Sequence, residues 1–367
     1  MKDNIAARVI LYIEICCFFL QYTFGLSRGY SSYFDLFGFS VAILCVLKMR
    51  FTSKGEKWKI SIIKLVTVSV LLSLITNFNH FGAGSVITIG RFFIYYLVIE
   101  KIKIRTKDRK IIISIFLIQL LLLQMVDKSS YNPNTVGLVY LMLGVCVSLL
   151  YRASSLLGNF FEIILFVIIG YLIHMTECRS TLIAFVLYVS IIYFPLNILK
   201  QKGVLLSIML LLTLGSLVYV YIYVYLWENS VLDNDIMTMA VDNTGKDIFS
   251  GRQTIWSESL ILFHDNILLG TGSNIRLQSF GVVNLHNSLL NFFVINGTII
   301  GLCALYCIIK TVMDIKEFVT NNEIKKCIAA YLSILLVSIF ETNLLVFAFM
   351  SLLPLYRAYS IKDTIRV

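Results

Sequence analysis

His286 and Asn287 open the apolar run LHNSLLNFFVINGTIIG, residues 285 to 301, directly after the longest polar segment of the chain. Imidazole is the side chain whose ordinary pKa lies near neutrality, so a histidine at this edge has the chemistry of a general base toward a hydroxyl. The position equally suits a helix cap or a hydrogen bond within a bundle. Only three other histidines occur, His80, His174 and His264. All of them fall on the same side in the span pattern below, so position alone does not single out His286.

Arginines supply a complementary chemistry, because the planar guanidinium fork binds phosphate bidentately and stays charged in a partly apolar site. Arg91 lies midway along GSVITIGRFFIYYLVIE. An ionisable group at that depth costs ~2.5 to 3.5 kcal/mol on insertion scales and usually faces a partner or a wet cavity. Glu14 and Asp35 are the candidate partners. Arg252 stands in SGRQTIWSESLILFHDN, which reads as an amphipathic interfacial helix near 250–264. Ser250 and Gln253 have capping-box spacing, and Trp256, Leu260 and Phe263 share a face. Such a helix points Arg252 and free backbone N–H groups toward an anion.

Other motifs are weaker. Gly270 and Gly272 in ILLGTGSN allow either a tight turn or a backbone approach to phosphate. Asp233 and Asp235 in LDNDIM have the spacing of a metal–diphosphate DxD, but short carboxylate pairs are common in solvated loops. HExxH, paired His/Cys spacing, GxSxG and the P-loop are all absent, which removes most of the support for metal-hydrolase and ATPase readings. No metal site and no cofactor is expected. Six of the eight cysteines fall inside apolar runs, so they form no disulfide framework.

The elements that must position these residues follow from composition. Of 367 residues, 58% are hydrophobic and 14% charged, more apolar surface than a soluble fold can bury. Apolar windows of roughly 17 to 24 residues recur about twelve times, each able to cross a hydrocarbon core of ~30 Å. They fall near 8–25, 32–48, 59–77, 83–100, 110–126, 135–151, 157–174, 180–199, 204–226, 285–308, 325–341 and 343–358. Eleven spans result if the last two, joined around Glu341 and Asn343, are one. The chain therefore reads as an all-α polytopic membrane protein, a single transmembrane domain over 1–367. Its one large extracytoplasmic loop covers 227–284.

A cytoplasmic N-terminus puts all but seven of the 31 basic residues on or near the inner side, as the positive-inside rule requires. The seven are Arg28, Arg91, Lys128, Arg179, Lys246, Arg252 and Arg276. Both termini are then cytoplasmic, and the net charge of +10 needs no nucleic acid to explain it. Arg28 and Arg276 also read as ordinary loop residues.

The order of motifs, HMTECRSTLIAF with Arg179, then GRQTIW and LLGTG in a long outer loop, then HNSLLNFFVINGTIIG, resembles the O-antigen polymerase and ligase superfamily. Within it the chain is most similar to Wzy-type polysaccharide polymerases. The turn YNPNTVGL, 131–138, is similar to an Asn-Pro-Asn-x-x-Gly feature of those proteins. The resemblance covers about residues 80 to 345 and rests on the order of short motifs.

That resemblance implies a GT-C-like, all-helical, metal-independent glycosyltransferase in the bacterial cytoplasmic membrane. Its substrates would be undecaprenyl pyrophosphate-linked oligosaccharides, for capsule or O-antigen synthesis, and a chain-length regulator and a flippase would be partners. Carried over by position, Arg179 and Arg252 match the family's two outer arginines, and His286 matches the histidine after the large loop. Cys178 stands where the family has serine before the first arginine. Arg179, Arg252, Arg91 and Arg276 are then candidates for the pyrophosphate, and His286 for the base. Asn287 and Glu341 are secondary candidates. An O-antigen ligase shares the chemistry but differs in acceptor. A flippase of lipid-linked oligosaccharide is the rival from another class, against which the lopsided loop and the lack of half-to-half symmetry count.

Overall fold

The computed structural model describes residues 5–25, 31–49, 51, 57–76, 78–126, 132–151, 156–193, 199, 201–229, 252–274, 276–278, 285–318 and 320–365. Among these, every expected apolar span carries a helix and no strand occurs. In chain order the helices are α1 (Ile5–Leu20, continued by a π-turn to Gly25), α2 (Ser31–Leu47), α3 (Lys57–Thr76), α4 (Phe78–Leu97) and α5 (Thr106–Met125). Next come α6 (Pro133–Leu150), α7 (Leu156–Met175), α8 (Arg179–Tyr193), α9 (Lys202–Glu228) and α10 (Arg252–Asp265). The chain closes with α11 (Ser288–Ile315), α12 (Asn322–Val337), the single turn α13 (Asn343–Val346) and α14 (Ala348–Ile365).

Burial divides these helices into two classes. Residues 136 to 150 of α6 are all buried, and α12 is nearly as enclosed between α8 and α14. A helix apolar on all sides is stable at such a centre. By contrast α3, α7 and α9 turn Leu71 and Ile75, Val167 and Tyr171, and Leu211 and Tyr221 outward. Water penalises such surfaces and lipid does not, and a helix meets all its backbone hydrogen bonds internally. Among the described residues six helices are long and apolar enough to cross a membrane, and α2 and α8 contain shorter apolar segments. The molecule is an all-helical integral membrane protein.

Ion pairs join several helices near their ends. Arg8 pairs with Asp108 at 3.2 Å, Lys59 with Glu100 at 2.8 Å and Lys326 with Glu162 at 2.5 Å. The last expected span differs from its sequence boundaries. Helix α14 begins at Ala348 and runs to Ile365, because the residues after Glu341 are spent on the turn α13, whose Asn343 donates from Nδ2 to Ile334 O.

Helix α11 is broken within its first half. Gly297 has φ 81° and ψ 167°, a conformation closed to residues with a side chain. The break strands carbonyls that the helix would otherwise pair. The segment 267–272 pairs them: Thr271 N–H donates to Val294 O and Gly272 N–H to Ile295 O, both at 2.9 Å. Thr298 N–H in turn donates to Ile267 O at 2.8 Å. A Cβ at Gly297 would lie 2.2 Å from Leu268 O, so the close approach and the backbone angle both require glycine. The LLGTG motif is thus a structural turn: the Thr271 and Gly272 N–H groups are committed to α11, and Gly270 N–H donates to Asn266 O at 2.9 Å.

Candidate active site

Three segments meet at Glu341. Its Oε1 accepts from Arg252 Nη2 at 3.1 Å and from Asn134 Nδ2 at 2.9 Å, while its Oε2 lies 3.3 Å from His286 Nδ1. The carboxylate is 5% exposed, so its charge is offset by a guanidinium and hydrogen bonds instead of water. An ionised carboxylate only accepts. The contact therefore orients the imidazole with Nδ1 toward the carboxylate, an arrangement compatible with a general base acting through Nε2.

Local sequence explains the cluster. Asn287 caps α11, its Oδ1 accepting from Leu290 N–H at 2.9 Å, and the same side chain donates to Ile339 O at 3.0 Å. Ser288 donates through Oγ to Glu341 O at 2.8 Å and through its N–H to Ser338 O at 2.9 Å. The His-Asn-Ser triplet therefore clamps the turn that carries Glu341. His286 itself has φ 48°, a left-handed conformation unusual outside glycine and of a kind that concentrates at functional sites. Its neighbour Leu285 is fixed by Trp256, whose Nε1–H donates to Leu285 O at 2.7 Å.

Arg252 is brought in by α10. Trp256 is fully buried against Tyr219 and Tyr223 of α9, with ring centroids 5.8 and 4.9 Å away. Leu260 and Phe263 pack against the same cluster, so the face read from the sequence is the one that docks. The proposed cap Ser250 lies outside the described residues, as do Asp233, Asp235, Arg28, Lys128 and Lys246.

Arg179 opens α8 and is exposed. The preceding Cys178 packs on α6: a Cβ at Gly137 would be 2.9 Å from Cys178 Cβ, so only glycine admits the contact. Gly137 stands three residues beyond Asn134 in α6, nearly one full turn, which ties the start of α8 to the end of the bundle that holds Glu341. Arg276 is exposed.

Arg91 belongs to a different place. Its Nη1 lies 2.7 Å from Asp35 Oδ1, one of the partners read from the sequence, and it borders a cavity of ≈ 560 Å³. His174 and His264 are exposed, and among the described histidine side chains His286 alone meets Glu341. Sequence reasoning gave Asn134 no role, although the Asn-Pro-Asn turn was its signal. Glu341 stood there only as a secondary candidate, and nothing in its own neighbourhood revealed that it joins Arg252 to His286. Among the described residues no group of three or more His, Cys, Asp or Glu is placed to hold a metal.

A buried carboxylate thus bridges a histidine and an arginine at one end of the helical bundle, an arrangement chemically able to move a proton beside an anion. Residues 164–306 match a family model described as O-antigen ligase, which supports the O-antigen polymerase and ligase superfamily for this chain. Arg179, Arg252 and His286 all lie inside the matched stretch, and Glu341 and Arg91 lie outside it. No curated protein and no solved structure matches the chain.

Proposed function

We propose that the protein is a polysaccharide polymerase. It would transfer a growing glycan from undecaprenyl pyrophosphate to an incoming lipid-linked repeat unit at the outer face of the bacterial cytoplasmic membrane, in capsule or O-antigen synthesis. The observation that carries this reading is Glu341 holding His286 and Arg252 in one cluster. In the reaction, an acceptor hydroxyl oxygen bonds to the anomeric carbon as the bond from that carbon to the pyrophosphate oxygen breaks. The hydroxyl proton passes to His286 Nε2, and the electron pair leaves with undecaprenyl pyrophosphate. Its leaving group is already acidic, so charge neutralisation matters more than a general acid. Arg252 and Arg179 supply that charge without a metal ion, and Arg276 adds to the field at the same end. Asn287 is a positioning residue through its cap.

This reading takes all twelve helical spans as membrane-crossing, with a GT-C-like arrangement and both termini cytoplasmic. A chain-length regulator and a flippase would act beside it. The matched family's description favours a second reading, ligase, which shares every step and differs in acceptor. The transporter reading would draw on the helix breaks at Gly297 and at Gly82, where φ is 68°. Segment 267–274 fills both breaks, however, which leaves no bare helix ends for a transported ion.

The deciding experiment incubates purified protein with a lipid-linked repeat unit. A ladder of lengthening products supports polymerase. A single transfer to a lipid A core acceptor without a ladder would replace polymerase by ligase, and no transfer of either kind would refute both.

A further inference from the structure

The cavity beside Arg91 lies among α2, α4, α11 and the turn before α13. Its ≈ 560 Å³ falls in the range of roughly 300 to 1,000 Å³ typical of small-ligand sites. Three features set its chemistry. Arg91 is ion-paired to Asp35 at 2.7 Å, and its Nε–H has no hydrogen-bond partner in the protein. Ser85, Asn291 and Asn296 line it, and Ser85 Oγ, Asn291 Oδ1 and Asn296 Oδ1 have no hydrogen-bond partner in the protein, although these residues are 1%, 4% and 2% exposed. Buried polar groups are nearly always satisfied, so orphans grouped on one wall mark a place where a ligand completes them. The third feature is location. Thr135 and Thr342 line the cavity too, and each is the chain neighbour of a residue in the Asn134–Glu341 hydrogen bond.

Ser85 Oγ donates or accepts and Arg91 Nε–H donates, but the two amide oxygens only accept, and a phosphate, with acceptors and no donors, would leave those two unmet. A sugar hydroxyl both donates and accepts, and it complements an amide in either orientation. We propose that this cavity is a subsite for an uncharged sugar of the glycan substrate, separate from the pyrophosphate-binding arginines and adjoining the reacting centre at Glu341. The proposal rests on the glycan-transfer reading for the identity of the ligand. Asn291 and Asn296 are the recognition residues, one on each side of a single turn and a half of α11 that ends at the Gly297 break. The break thus serves recognition as well as packing, because it ends α11's first segment where Asn296 reaches the cavity.

The test titrates the detergent-purified full-length chain with the soluble repeat-unit oligosaccharide of the source cell's polysaccharide, freed of lipid and phosphate, and in parallel with inorganic pyrophosphate. Wild-type protein should bind the oligosaccharide. Asn291→Leu and Asn296→Leu should each weaken that binding at least ten-fold and leave pyrophosphate binding intact, whereas Arg252→Ala should do the reverse. In turnover the two Asn variants should raise KM for the acceptor far more than they lower kcat, a split that general loosening of the helix would not give. Ser85→Ala removes a hydroxyl that bonds to nothing in the protein. It should keep wild-type thermal melting while losing several-fold in oligosaccharide affinity, and it decides the matter if the Leu variants fold poorly. Absence of oligosaccharide binding by wild type, or unchanged binding by well-folded Ser85→Ala, overturns the subsite. Oligosaccharide binding without any glycan transfer would leave the subsite standing and sink the polymerase reading. A product ladder with unchanged acceptor KM in the Asn variants would do the opposite.

Discussion

His286 Nδ1 lies 3.3 Å from Glu341 Oε2, although 55 residues separate the two in the chain. The contact orients the imidazole and links it to Arg252 through the same carboxylate. Removing the base should be severe: His286→Ala is expected to lower turnover by about 10²- to 10⁴-fold, with protein yield and melting temperature retained. A variant within a factor of two of wild type in a product-ladder assay would remove His286 from the mechanism.

Glu341→Gln keeps the shape and loses the charge. The amide nitrogen can then donate to Nδ1 and hold the wrong tautomer, so turnover should fall by on the order of 10²-fold while substrate still binds. Comparison of kcat with pyrophosphate affinity reads this directly. A loss confined to affinity would instead make Glu341 a structural anchor for Arg252.

Arg252→Lys and Arg179→Lys separate charge from geometry. If these side chains neutralise a pyrophosphate, Lys should retain a fraction of activity and Ala essentially none, because an ammonium supplies a point charge without the fork. Equal activity in the Lys and Ala variants would contradict an electrostatic role.

Gly297→Ala tests the broken helix. Its backbone angles alone should cost about 1 to 3 kcal/mol, before the contact with Leu268 O is counted. Thermal unfolding in detergent should show a clear drop in Tm. Gly203→Ala in α9, where a Cβ would meet nothing within 4 Å, is the control and should be neutral or stabilising by up to about 1 kcal/mol.

Activity should persist in a chelator, since arginines take the place of a metal ion in the proposed chemistry. A requirement for Mg²⁺ or Mn²⁺ would turn attention to Asp233 and Asp235.

Sequence alone determined the membrane class and the helix positions, because each apolar span is a local property of some twenty consecutive residues and needs no partner to be recognised. It also determined which residue types could handle a pyrophosphate and a hydroxyl, and the order of motifs that the family match later supported for 164–306. Tertiary structure decided what those residues meet. Arg91 and Arg252 are chemically alike in sequence, yet packing gives one to Asp35 in the bundle and the other to Glu341 beside His286. The glycines of LLGTG could be read as a turn or as a phosphate loop until Gly297 was seen to break α11 beside them. Hydrophobic periodicity places a helix without saying which neighbour it packs against. A contact between residues 286 and 341 depends on that choice, and so it emerges only when the whole bundle is assembled.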